Sequence, residues 1–263
     1  MYKEYALRGD VYIMKRFRKV VCIAMTLVLA QSISVSSYAA NIKVVPVRTV
    51  TTSTASAKKI VSKLNLNKTS VKLIVGKTIT LKAALSTGGM PKVTWTSSNK
   101  KVVTVDANGK VKAVGKGTAN VTVSTSNGKT AVCVVSVITQ NEAYVAEVAR
   151  LVNEERTKRG LNKLLINSKL AGVAQKRALE TSQRLSHTRP NGKSFSTVLD
   201  EYGIKYTVAG ENIAYNYYTA EEAMEGLMDS KGHKDNILNS RFKYIGVGLY
   251  EEDGINYLVQ IFT

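Results

Sequence analysis

Between Ile138 and Asn141 the spacing of apolar residues changes within a few positions, and this change constrains the fold more than any other feature of the chain. Upstream, β-branched residues recur in short runs at Val71–Val75, Thr78–Ala84, Lys92–Ser97, Val102–Val105, Lys110–Val114, Ala119–Ser124 and Thr130–Val137. Period-two alternation within such runs puts one set of side chains on each face of a strand. Downstream, Val145, Val148, Leu151 and Val152 fall at helical spacing behind a cap expected at Asn141. One core cannot be patterned both ways, so the chain divides into an all-β domain over 66–140 and an α+β domain over 141–263.

The seven runs are separated by Gly, Asn and Ser turns, the pattern of an immunoglobulin-like β-sandwich. Trp95 alternates with Val93 and Cys133 with Ala131 and Val135, so both are expected in the core rather than at a binding surface. The stretches VGKTITLKAAL and VTWTSSNKKVVTVDANGKVKAVGKGTANVTV resemble the group 2 bacterial immunoglobulin-like repeat. That resemblance implies a spacer or adhesion module without catalytic residues.

Ahead of this domain, Lys15, Arg16, Arg18 and Lys19 precede the apolar run Val20–Ala30 and a polar stretch ending Ser37-Tyr38-Ala39-Ala40. This is the layout of a secretory signal peptide over 1–40, with cleavage expected after Ala39 or Ala40. The apolar run is too short for an ordinary transmembrane helix, and no stable membrane span is expected once the signal is removed. Residues 41–65 are rich in Thr, Ser, Ala, Val and Lys and are expected to form a flexible basic linker. One cysteine, Cys133, remains after cleavage, so no internal disulfide supports the exported chain.

Charge is divided as unevenly as period. Residues 66–140 carry 11 lysines against one acid, Asp106, whereas 141–263 carry 16 basic and 16 acidic side chains. A basic surface on an exported module suits an anionic cell-wall polymer, and the same lysines also suit a solvated sheet edge protected from pairing. No nucleic acid is expected as the partner of the neutral half.

In the second domain, helices are expected over Ser168–Arg184, over Phe195–Tyr202 and from the capping box Thr219-Ala220-Glu221-Glu222. Strand runs at Tyr244–Tyr250 and Ile255–Phe262 flank Asp253-Gly254, a strong hairpin signal. The chain's two histidines, His187 in SHTRPNGKS and His233 in DSKGHKDNIL, lie on either side of GENIAYN. These segments, with NEERTKRGLNKL, YIGVGLY and YLVQIFT, resemble the disulfide-free bacterial branch of the CAP family (cysteine-rich secretory, antigen 5 and pathogenesis-related proteins, also called the SCP domain). The resemblance implies an α-β-α sandwich and a cleft in which His187, Glu211 and His233 match the first histidine, the first glutamate and the second histidine. The family's second acid has no counterpart. On the preceding helix Ala220, Ala223, Met224 and Leu227 form the buried face and leave Glu222, Glu225 and Asp229 on the solvated side, Asp229 being a weak substitute.

Two imidazoles and one carboxylate are also a recognised ligand set for zinc or another divalent metal, with a position left open for water. His187, Glu211 and His233 are therefore the expected ligand-binding cleft and the candidate metal ligands. Alternatively the histidines hold loops by hydrogen bonds and Glu211 pairs locally. Ser186 and Ser230 stand near the histidines without a nucleophile-elbow setting, and Tyr215, Tyr217 and Tyr218 suit packing as well as a cleft lining. The combined reading is a secreted, envelope-associated binding protein in which the Ig-like module positions the CAP domain. The alternative is a metal-dependent hydrolase of envelope or extracellular polymers, and the sequence leaves open whether any reaction is catalysed.

Overall fold

A computed structural model describes residues 63–89 and 91–263. The expected signal peptide and all but the last residues of the expected linker lie outside the described residues. The first domain contains β1 (Leu64–Leu66), β2 (Ser70–Ile74), β3 (Thr78–Thr80), β4 (Ala83–Leu85), β5 (Val93–Ser97), β6 (Val103–Val105), β7 (Lys110–Ala113), β8 (Gly117–Thr125) and β9 (Thr130–Ile138). These form the sheets β2-β9-β8-β5 and β3-β7-β6, together with the pair β1-β4. Val103, Val111, Val121, Cys133 and Val135 are buried between them, with Trp95 packed against the cluster, as the alternation predicts.

Two boundaries differ from expectation. Leu64, assigned to the linker, is buried and begins β1, because it packs with Ala83 and Val123. The run Thr78–Ala84 is not one strand. β3 pairs with β7, and after Leu81 the chain transfers to β1, where the Lys82 N–H donates to Asn67 Oδ1 and the Asn67 N–H donates to the Lys82 carbonyl. Alternation marks which residues face a core but not which sheet they join.

Only Thr139 separates β9 from α1 (Gln140–Lys158). The cap expected at Asn141 is instead a capping box two residues earlier. Thr139 Oγ1 accepts the Glu142 N–H at 3.1 Å and the Glu142 carboxylate accepts the Thr139 N–H at 3.0 Å. Then follow β10 (Leu165–Ile166), α2 (Ser168–Gln183), α3 (Ser196–Glu201), β11 (Gly210–Tyr215), α4 (Ala220–Asp229), α5 (Lys231–Ile237), β12 (Tyr244–Glu252) and β13 (Ile255–Phe262). The Thr219 box caps α4 as expected, and Asp253 and Gly254 turn the β12-β13 hairpin with φ of 52° and 77°. The short elements β10, β11 and α5 have no clear local signal.

The sheet order is β10-β12-β13-β11, which makes β11 an edge strand. Its two faces are covered by different helices. Ile245, Val247, Leu249, Leu258 and Phe262 pack with α1 and α4, while Val259 and Ile261 pack with α2. On the α2 face β12 presents Gly246 and Gly248, where a Cβ would come 2.1 Å and 2.3 Å from the backbone of Leu170 and Ala174. Helix α2 therefore lies directly on the strand, and the result is a three-layer α-β-α sandwich.

Candidate functional site

The edge strand supplies Glu211, and pleating sends its side chain toward α2 while Asn212 points to the opposite layer. The apolar stripe of α2, Leu170, Val173, Ala174 and Ala178, carries Arg177 into the same buried face. Neither Arg177 nor Glu211 exposes any side-chain surface. Arg177 Nε donates to Glu211 Oε2 at 2.7 Å and Nη2 to Glu211 Oε1 at 3.3 Å. The guanidinium also donates to the Ser186 carbonyl at 2.8 Å and to Glu180 Oε2 at 2.7 Å. A buried carboxylate is tolerable because each oxygen meets a charged or polar donor.

His187 lies on the loop after α2, with Nδ1 2.8 Å from Glu211 Oε1 and a side chain that is 60% exposed. The ring's other nitrogen has no partner among the described residues. The loop itself is tightly held. The Phe195 N–H donates to the His187 carbonyl, and Thr188 bridges Ser194. Arg189, buried two residues beyond His187, grips Glu180 at 2.8 Å, Thr197 Oγ1 at 2.8 Å and Glu201 at 2.6 Å, joining the loop to α2 and α3. Burial raises the Glu180 carboxyl, but hydrogen bonds from Arg189 and Arg177 outweigh it and hold that group below its ordinary value.

His233 arrives from the other layer, on α5. Arg156, buried in α1, donates to the Ile237 and Asn239 carbonyls at 2.8 and 2.9 Å and so fixes the far end of α5. Asn212 Nδ2 donates to the His233 carbonyl and to Gln260 Oε1, each at 3.0 Å, and Asn236 Nδ2 donates to the Glu211 carbonyl at 3.2 Å. The His233 imidazole is held below its usual pKa by burial and then by the charge of His187. The two histidines thus come from opposite layers of the sandwich, with the edge strand that carries Glu211 between those layers.

A zinc centre built on all three residues does not fit this arrangement. Both Glu211 oxygens are engaged by Arg177 and one of them by His187 as well, so the carboxylate orients the imidazole instead of standing beside it as a third ligand. Among the described residues no group of three or more His, Cys, Asp or Glu side chains could hold a metal ion. Asp229 does not replace the missing acid, since it is exposed and lines a separate cavity of about 270 Å³ with Leu151, Met224 and Met228. Ser186 Oγ accepts the Thr188 N–H at 3.1 Å, and Ser230 is the N-cap residue of α5 with no side-chain capping hydrogen bond. Tyr217 packs on the core, whereas Tyr215 and Tyr218 are exposed.

Arg177, Glu180, Arg189, Asn212, Asn236 and Gln260 were not evident as site residues in the sequence. Arg177 did leave a trace, a cation seven residues after Leu170 on the buried stripe of α2.

The fold joins an immunoglobulin-like sandwich to an α-β-α domain of the CAP class. Residues 149–262 match the family model of CAP, the cysteine-rich secretory protein family, and residues 60–135 match the bacterial Ig-like domain, group 2. The chain carries a group 2 bacterial Ig-like domain followed by a CAP domain. It is 38% identical over 115 residues to the uncharacterized protein YkwD of Bacillus subtilis (strain 168), a match covering 43% of this chain and 45% of that protein. It is 35% identical over 105 residues to the uncharacterized membrane protein YlbC of the same strain, covering 39% of this chain and 30% of the relative. The matches thus span less than half the length of either curated relative. Among solved structures, an extracellular protein containing a SCP domain from Bacillus anthracis str. Ames is 27% identical with a TM-score of 0.43, covering 46% of this chain and 40% of that one. No helix among the described residues is long and apolar enough to cross a membrane.

Proposed function

We propose that the protein is an exported, envelope-associated binding protein whose CAP cleft takes a polar ligand through His187 and His233, while the lysine-rich Ig-like domain attaches it to an anionic wall polymer. The observation that carries this reading is the 2.8 Å contact of His187 Nδ1 with a fully buried Glu211. A carboxylate behind an imidazole fixes ring and tautomer, so the exposed nitrogen faces solvent as a ready-made hydrogen-bond acceptor. The basic and apolar runs at the start of the sequence support export.

With two histidines in the chain, their ring resonances report the cleft without ambiguity. Full-length protein is titrated with soluble peptidoglycan fragments and, separately, with zinc chloride. The expected result is that fragments move both ring signals and that His187→Gln abolishes the change at His233. Rings that stay unmoved by fragments would refute the ligand cleft, and rings moved by zinc alone would transfer the site to a two-imidazole metal role.

A further inference from the structure

Eight of the sixteen acids in residues 141–263 pair with cations, among them Glu147 and Glu154 with Arg150, Glu155 with Arg159, Glu180 and Glu201 with Arg189, and Glu211 with Arg177. Three of the cations that form no ion pair among the described residues stand together. Lys205, Arg241 and Lys243 line a single groove of about 480 Å³ and form no ion pair among the described residues. No acidic side chain lines that groove, and Tyr206 and Tyr244 stand in it 38% and 40% exposed.

The groove is built where β11 and β12 begin and β13 ends, since Gly210 and Ile245 both pair with Phe262. Lys205 and Tyr206 form one wall, on the segment leading into β11. Arg241, Lys243 and Tyr244 form the other, on the segment leading from α5 into β12. The backbone there is fixed, because the Lys243 and Tyr244 N–H groups both donate to the Thr263 carbonyl, at 2.8 and 2.9 Å. This groove is distinct from the histidine cleft and shares none of its side chains.

We propose that this groove is a binding site for a polyol phosphodiester chain. Three unpaired cations on two facing walls match an anion that can accept from both sides, as a tetrahedral phosphate does with its two unbonded oxygens, whereas a carboxylate presents its lone pairs in one plane. The tyrosines present apolar faces and hydroxyls to the neutral units between the charges. The choice of a polyol over a nucleic acid rests on the export proposed above; the anion site itself does not.

The test uses the full chain, so that the lysines of the Ig-like domain compete in the same sample. Amine acetylation is followed residue by residue by mass spectrometry, with and without poly(glycerol phosphate), at low salt. Lys205 and Lys243 should lose reactivity at least roughly threefold while Lys193 and Lys234 do not, and the protection should disappear at about 1 M salt, where the Debye length is about 3 Å. Arg241 and Lys243 are exposed, so Arg241→Gln with Lys243→Gln should leave the melting temperature unchanged and lower the slope of log affinity against log salt by about 2. Protection confined to lysines of the Ig-like domain, or spread evenly over the chain, would overturn the site. Equal protection by polygalacturonate would overturn the phosphodiester assignment, and stronger protection by a single-stranded oligonucleotide would overturn the polyol.

Discussion

Arg177 Nε lies 2.7 Å from Glu211 Oε2, with both side chains fully withdrawn from solvent. The pair joins the helix layer to the edge strand and stands directly behind His187. Removing one partner leaves the other charged and buried, so Arg177→Met should cost about 3–5 kcal/mol in urea unfolding, whereas the double change Arg177→Met with Glu211→Leu should cost less than either single change. Single and double variants of equal stability would show that the pair does not couple the layers.

The interaction of His233 with His187 has a spectroscopic consequence. The folded His233 should titrate below its reference of 6.5, and His187→Gln should raise it part of the way back, because burial remains when the neighbouring charge is gone. For stability the sign is fixed by which state binds the proton first. As pH falls below about 6.5 the unfolded chain protonates this histidine before the native one does, so its contribution to stability declines until the folded value is passed. A His233 value that ignores the loss of His187 would separate the two rings.

Acid should loosen the loop that presents His187. Hydrogen bonds from Arg189 and then Lys176 lower the Glu201 carboxyl from 4.5 to about 2, and Glu180 is lowered as well. Between those values the unfolded carboxyls hold more protons than the folded ones, so the stabilisation is complete above about pH 4.5 and is lost as pH falls toward 2. Arg189→Gln should lower the melting temperature at pH 7 and flatten its dependence across that acid range. An equally steep acid limb in the variant would place the sensitive carboxylates elsewhere.

Contact between α2 and β12 depends on two missing side chains. Gly248→Ala puts a methyl carbon 2.3 Å from the Ala174 backbone, and no side-chain rotation can relieve it. Displacing α2 should cost about 1–3 kcal/mol or more by calorimetry. Because α2 carries Arg177, the substitution should also broaden the His187 ring resonance, and an unchanged resonance would argue that the loop is held without the helix.

Periodicity along the chain determined the division at Ile138–Asn141, most strands of the first domain, helix α2, the Thr219 capping box and the final hairpin. These are local patterns, and each is encoded within a few turns or one alternating run. Three motif segments likewise marked His187, Glu211 and His233. Tertiary structure decided what those residues are to one another. Glu211 acquires its role from Arg177, which lies 34 residues away in sequence on a different layer, and His233 is placed by Arg156 and Asn212 from two other elements. Strand β11 is two-sided, with Glu211 facing one helix layer and Asn212 the other, and its weak local signal hid both contacts. A carboxylate is a metal ligand or an orienting partner according to which donors reach its oxygens first, and that is settled by the packing of α2 on the sheet rather than by the spacing of three residues.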